Sequence, residues 1–300
     1  MLRGYMGKML FVDLSRGEIK QETLEEGLCR EFIGGYGIGA RIIYSKQKKC
    51  VDPLGPGNIL GFVTGPLTGT PVIFGARYTV MGKSPLTATW GDANSGGDFG
   101  PNLKFAGYDA VFFSGVSEKP VYLFIEDGSA ELRDASHLWG KDTFETEDIL
   151  KNELGQEVAV ACVGPAGEML SLISGIVNNK GRGAYRSGLG AVMGSKKLKA
   201  VAVKGKMEVP IADKDRVVHL NRKYAKEIKG PFADLLRNVG SVGLTTGSAR
   251  SGDSPVKNWG GIGTRDFANV GAIGGRNILN LQERKYSCWR CPIGCGGHMK

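Results

Sequence analysis

The chain has 300 residues, 41% hydrophobic and 23% charged, with 39 Lys and Arg against 30 Asp and Glu for a net charge of +9 at pH 7. That is long enough for one large domain with a real core plus part of another, and the ordinary composition without a low-complexity tract excludes a disordered chain. The positive balance favours an acidic partner, either a phosphorylated cofactor or an acidic redox protein, and no basic helix, zinc-finger spacing or stacking motif points to nucleic acid.

No apolar stretch approaches the length of a membrane span, and residues 1–8 lead into a charged alternating strand rather than a signal-peptide core, so the expectation is a cytoplasmic protein without a membrane partner. Glycine, at 47 residues, is about twice its usual share and falls in short clusters between apolar strands. Such clustering implies backbone brought close to something.

Residues 9–14 and the stretch from Glu18 read as two strands around a Ser15-Arg16-Gly17 turn, a hairpin opening an antiparallel sheet. Residues 24–32 are amphipathic and predict a short helix. Residues 34–40 contain G-x-G-x-x-A, but a charged helix carrying Arg30 and Glu31 precedes them where a dinucleotide fold needs a buried strand. A tight corner between helices, the second over 40–44, is the expected structure. Strands follow at 58–63 and 78–84, separated by a glycine-rich loop. Residues 90–100, with amide and hydroxyl groups and nothing bulky between Asn94 and Gly97, predict a loop that either presents backbone N–H groups to an anion or makes an ordinary glycine turn.

Further strands are expected at 110–115 and 121–125, and a helix from the polar start at Asp142 to about Leu154. His137 reads as a packed surface histidine, because no carboxylate or cysteine sits at ligand spacing. A buried strand at 158–163 leads into a Gly-Pro-Ala-Gly-Glu turn. Residues 182–196 repeat the anion-cradling chemistry with Arg182 and Arg186, though they fail the P-loop spacing. After a strand at 198–203 the pattern changes: Val217, Val218, Leu220, Tyr224 and Ile228 recur at helical spacing. This divides the chain into an α+β domain over 1–210 and the beginning of a helical domain over 211–300, with a short helix from Gly275 to about Glu283.

The most informative stretch is Cys288-Trp289-Arg290-Cys291-Pro292-Ile293-Gly294-Cys295. Pro292 and Gly294 break regular structure, and thiolates are soft donors suited to zinc or an iron–sulfur cluster, for which C-x2-C-x3-C supplies three of four ligands. His298 could close a Cys3His zinc site. A cubane instead needs a fourth ligand from elsewhere, and Cys29, Cys50 and Cys162 are the other cysteines. Three reduced thiols with no metal are the plain alternative.

Taken together the loops resemble the aldehyde ferredoxin oxidoreductase family of tungsten enzymes. The matching stretches are residues 65–70, 75–78, 93–97, 103–109, 133–137, 164–168, 190–196, 255–258 and the cysteine run. The resemblance implies an α+β N-terminal domain of two β-sheets with flanking helices, followed by the start of an α-helical domain. It also implies a tungsten (or molybdenum) bis-pyranopterin, Mg2+ bridging the pterin phosphates, and a [4Fe–4S] cluster. By this likeness Cys288, Cys291 and Cys295 are cluster ligands and Arg77 bridges cluster and pterin, while Asn94, Gly96, Arg186, Ser187, Leu189 and Gly190 contact the pterin and Ser95 is cofactor-binding with them. The family usually has glycine on both sides of the arginine at 186, where this chain has Tyr185 and Ser187.

The implied activity is oxidation of small aldehydes to carboxylates, or the reverse, with electrons passing through the cluster to ferredoxin or a related iron–sulfur carrier. The family chain is about twice this long, and its fourth cluster cysteine and catalytic side chains lie beyond residue 300. The resemblance therefore implies a C-terminal remainder or a partner subunit, assembly as a homodimer or larger redox complex, and no activity of these residues alone. A non-catalytic iron–sulfur electron-transfer subunit is the alternative.

Overall fold

The computed structural model describes residues 2–300, and the chain divides into two compact units, Met1–Lys214 and Asp215–Lys300. In the first unit, β1 (Lys8–Asp13), β2 (Glu18–Thr23), β3 (Leu60–Thr64), β4 (Tyr78–Lys83), β5 (Trp90–Ser95) and β6 (Ala110–Ser114) form one six-stranded sheet in the order β2-β1-β6-β3-β4-β5. A second six-stranded sheet contains β7 (Val121–Glu126), β8 (Ser129–Asp134), β9 (Ala159–Cys162), β10 (Ile176–Asn178), β11 (Arg182–Ala184) and β12 (Leu198–Lys204), ordered β11-β10-β9-β12-β7-β8. Both sheets are mixed: β1 runs parallel to β6 and β7 parallel to β12, and every other pairing is antiparallel. The opening hairpin is as expected, although the sheet it joins is not purely antiparallel.

Side-chain alternation divides each sheet between two cores. Leu10 and Val12, Phe62, Val111 and Phe113 from the first sheet share a core with Leu123, Ile125, Val201 and Val203 from the second, joined by α3 (Phe99–Phe105) and α6 (Leu189–Ser195). The alternate residues Met9, Val63 and Phe112 pack outward against α1 (Glu26–Phe32) and α2 (Tyr36–Lys46). On the second sheet Tyr122, Phe124, Val160 and Ala202 pack outward with Leu150 of α4 (Thr143–Leu154). A strand covered on both faces reads as a near-continuous apolar run, and β3 and β9 are buried throughout. Residues 165–168, expected as a turn, close instead into the single-turn helix α5 (Pro165–Glu168).

Two glycine clusters differ from expectation for one reason. The corner expected over 34–40 is already helix from Tyr36, and a Cβ at Gly39 would fall 1.7 Å from the Met81 sulfur, so glycine lets α2 lie directly on β4. The loop expected over 90–100 is the edge strand β5 followed by α3. A Cβ at Gly97, where φ is +87°, would stand 2.2 Å from the Asn179 amide oxygen. At both places the close neighbour of the glycine backbone is the protein itself.

The second unit contains α7 (Lys214–Glu227), which begins at the boundary, then α8 (Pro231–Asn238), α9 (Thr245–Ser251), α10 (Gly263–Asp266) and α11 (Gly275–Leu279). It is not wholly helical. The helix expected to reach Glu283 stops at Leu279, and β13 (Gln282–Tyr286) pairs antiparallel with β14 (Gly296–Met299), bracketing the cysteine run. Pairing across this hairpin overrides the local helical preference of Gln282-Glu283-Arg284-Lys285.

The first unit also buries charge. Lys104 of α3 is fully buried, its ammonium 3.3 Å from Asp109 and donating to the Gly4 carbonyl, while the other Asp109 oxygen accepts from the Gly7 backbone N–H at 2.7 Å. Burial lowers the Lys104 pKa and the adjacent Asp109 opposes that shift. Asp109→Asn would leave a cation in the core without its counter-charge, a change that typically costs about 3–5 kcal/mol. Denaturant unfolding should register a loss of that size. A stability within ~0.5 kcal/mol of the parent, the range of an ordinary surface substitution, would show that the pair is not a structural anchor.

Candidate functional site

Arg77 stands immediately before β4, Asn94 is on β5 opposite Thr79, and Tyr36 is the first residue of α2. The three side chains form one chain of hydrogen bonds. The Arg77 guanidinium donates to the Asn94 side-chain oxygen through Nε (2.6 Å) and Nη2, and the Asn94 Nδ2 donates to the Tyr36 hydroxyl at 2.7 Å. Arg77 and Tyr36 are exposed and Asn94 is half-buried. No carboxylate pairs with Arg77 among the described residues, so a rigidly held cation faces outward with its charge uncompensated.

Beneath this corner lies a residue that sequence reasoning missed. Asn178, at the end of β10, is fully buried and makes all four hydrogen bonds its amide allows. Its oxygen accepts from the Tyr78 hydroxyl (3.0 Å) and the Ser95 hydroxyl (2.8 Å), and its nitrogen donates to the Gly96 carbonyl (2.9 Å) and to Asn179 (2.8 Å). Asn179 extends the network, accepting from the Asp98 backbone N–H (2.9 Å) and donating to the Asp98 carboxylate (3.1 Å), whose pKa burial raises. The second sheet thus grips residues 95–98 of the first. The available signal was only the adjacent pair Asn178-Asn179 before Lys180-Gly181, which matches no motif.

The second glycine loop meets the same strand. Ser187 has φ +65°, a left-handed conformation that favours glycine, and its hydroxyl accepts from the Asp92 backbone N–H and donates to the Asp92 carbonyl, both at 3.2 Å. Those groups lie on the free edge of β5, so the serine covers an edge that a glycine would leave bare. Arg186 is exposed and has no carboxylate partner among the described residues, while Leu189 and Gly190 are buried at the start of α6. The Tyr185 ring lies over the backbone of Gly183 and Gly175, against which any Cβ would collide. Of the residues expected in the cofactor loops, Arg77, Asn94, Arg186 and Ser187 reach the surface, and Ser95, Gly96, Leu189 and Gly190 form the buried floor.

Cys288, Cys291 and Cys295 occupy the loop between β13 and β14, all half-exposed. The Cys291 backbone N–H donates to the Cys288 carbonyl at 3.0 Å, and Arg290 (φ +48°) and Gly294 (φ +62°) bend the loop. Among the described residues no three His, Cys, Asp or Glu side chains stand close enough to hold a metal, so metal binding would have to draw these sulfurs together, the coupling usual for such sites. His298 lies on β14 with its ring edge-on to Tyr286. Cys29 and Cys162 are buried in apolar cores, and burial pushes their thiols up to about 11 and about 12 respectively, which makes them poor thiolate ligands. Elsewhere, His137 does have a carboxylate neighbour: Glu153, brought by α4 to 3.0 Å from its Nε2. Sixteen residues of separation hid that pair from any spacing rule.

Residues 9–205 match the family described as "Aldehyde ferredoxin oxidoreductase, N-terminal domain", and residues 219–300 match "Aldehyde ferredoxin oxidoreductase, domains 2 & 3". The chain belongs to the aldehyde ferredoxin oxidoreductase family. It is 43% identical over 297 residues to the tungsten-containing aldehyde ferredoxin oxidoreductase of Pyrococcus furiosus, covering 98% of this chain and 49% of that protein. It is 32% identical, over 97% of its length, to the aliphatic sulfonate oxidoreductase WOR-like subunit of the same organism, again covering 49% of the relative. Among solved structures, the active-site complex BamBC of benzoyl coenzyme A reductase superimposes with a TM-score of 0.86 at 31% identity, over all of this chain and 48% of the other. The chain therefore spans about half the length of the relatives it matches.

The residues present fit the family's groups. Three thiols on one bent loop are the donor set of an iron–sulfur cluster, and two arginines without counter-ions beside exposed polar side chains suit an anionic cofactor. In metal-free protein, maleimide should label the half-exposed Cys288, Cys291 and Cys295 and the exposed Cys50, while Cys29 and Cys162 react only on unfolding. After anaerobic iron–sulfur reconstitution only Cys50 should still react, as read by peptide mass spectrometry. Continued labelling of the three loop cysteines in iron-loaded protein would contradict their role as ligands.

Proposed function

We propose that this chain is the cofactor-gripping part of a tungsten or molybdenum bis-pterin oxidoreductase that interconverts aldehydes and carboxylates, with electrons leaving through a [4Fe–4S] cluster to ferredoxin or a related carrier. The observation that carries this reading is the outward-facing, uncompensated Arg77 cation, locked by Asn94, in a chain that also carries the three-cysteine loop. When bound, the metallopterin supplies two-electron oxygen-transfer chemistry and the cluster one-electron conduction. The chain's own residues bind and orient. Arg77 and Arg186 neutralise cofactor charge, Asn94 holds the Arg77 fork in one plane, and Ser187 keeps the second loop against β5. Mg2+ at the pterin phosphates belongs to the same reading.

The aldehyde is the substrate class named for the relatives at 42–43% identity. More distant relatives are named for an aliphatic sulfonate and for benzoyl-coenzyme A, so the shared part of the family is the cofactor platform rather than one substrate pocket. The platform covers one side of a large cofactor, and a site that excludes water needs walls on the others. Those walls would come from the second half that the relatives possess, on this chain or on a partner, within a homodimer or larger redox complex.

Anaerobically purified holoprotein should contain tungsten or molybdenum, pterin and about four irons per chain, the content of one cubane cluster. Cys291→Ala should lose the iron and its visible absorption. Iron without tungsten, molybdenum or pterin would instead identify a non-catalytic electron-transfer subunit, and zinc without iron would overturn both readings. Residues 1–300 alone should not oxidise aldehydes with a viologen acceptor, and turnover by them would place the catalytic groups within this chain.

A further inference from the structure

Tyr36 belongs to none of the motifs that mark the cofactor loops, yet its hydroxyl is the end of the Arg77–Asn94 chain. The direction of that chain is forced. A guanidinium can only donate, so the Asn94 side-chain atom facing Arg77 must be its oxygen. The Asn94 nitrogen therefore faces Tyr36, and because that nitrogen also only donates, the Tyr36 oxygen must accept at 2.7 Å. The phenolic proton is then left over. No hydrogen bond among the described residues uses it, and Tyr36 is 44% exposed at the start of α2.

We infer that Tyr36 is a cofactor-binding residue of this site: its O–H, turned outward by Asn94, donates to an anionic oxygen of the pterin cofactor that also engages the free face of the Arg77 guanidinium. The inference rests on the cofactor reading above and adds a division of labour to it. Both polar ends of the Asn94 side chain are committed within the protein, so Asn94 acts as a clip, and recognition falls to the two groups it orients. One is a fixed cation and the other a neutral donor, a pairing that suits an oxygen of a phosphate or of a pterin ring. Tyr36→Phe removes the donor and keeps the ring.

The test measures pterin release from anaerobically purified holoprotein, followed by the fluorescence of the oxidised free pterin, alongside iron content and the thermal unfolding midpoint. Tyr36→Phe should release pterin about 10- to 100-fold faster, the range for losing a hydrogen bond to a charged group, with iron content and unfolding midpoint unchanged. A second variant checks the direction of the chain. In Asn94→Asp the carboxylate can accept from Arg77 and Tyr36 together, so the phenol turns its proton inward; adding Tyr36→Phe to that background should change the release rate by no more than about twofold, so that most of its effect in the parent disappears, as for residues coupled in one network. Release from Tyr36→Phe at the parent rate, in a parent that does hold pterin, overturns this inference and leaves the proposed function standing. A parent holding no pterin overturns both.

Discussion

The candidate site depends on a buried amide. Asn178 comes from the second sheet, but three of its four hydrogen bonds go to Tyr78, Ser95 and Gly96 of the first. A buried polar group that loses its partner costs about 1–3 kcal/mol, so a side chain with every valence satisfied tolerates no change of register in what it holds. What it holds is the end of β5, one residue beyond Asn94. The Arg77–Asn94–Tyr36 corner therefore inherits its position from a strand in the other sheet, and the shared core of α3 and α6 keeps the two sheets at that spacing.

The glycine content follows from the same constraint. Gly39 and Gly97 bring backbone up to the protein's own atoms, the Met81 sulfur in one case and the Asn179 amide in the other. Ser187 shows the reverse. It occupies a left-handed position that favours glycine, and its hydroxyl bridges both backbone groups of Asp92, so the strain of the conformation is offset by two hydrogen bonds on a strand edge. Against this tightly satisfied interior, Arg77 and Arg186 are exposed cations with no carboxylate partner among the described residues, which is why the proposed function assigns them to an anionic ligand.

Much of the fold was legible because alternation is a local signal. Met9, Leu10, Phe11 and Val12 alternate between two cores as a strand covered on both faces requires, and β3, β6, β7 and β12 fall close to their expected places. The cysteine run and the arginine-bearing loops stand out as candidates in the sequence for the same reason, since spacing and residue type are local. What escaped were the pairings made in space. Asn178 carries no motif of its own, the Glu153 partner of His137 is carried in by α4, and β13 exists only because β14 returns to pair with it. Tyr36 was hidden by the glycines around it, which read as a corner until α2 was seen to begin there.

The central claim, that Asn178 holds the site strand from the opposite sheet, is tested most directly by amide hydrogen exchange on Asn178→Asp. The replacement keeps the shape and turns two donors into acceptors facing the Gly96 carbonyl and the Asn179 oxygen. The account predicts exchange at least about tenfold faster across residues 92–98 and 176–179, the factor that corresponds to some 1.4 kcal/mol of local stability, with protection of β1, β3 and β6 retained. Unchanged protection at residues 92–98 would contradict it, and would mean that the first sheet holds its site strand unaided.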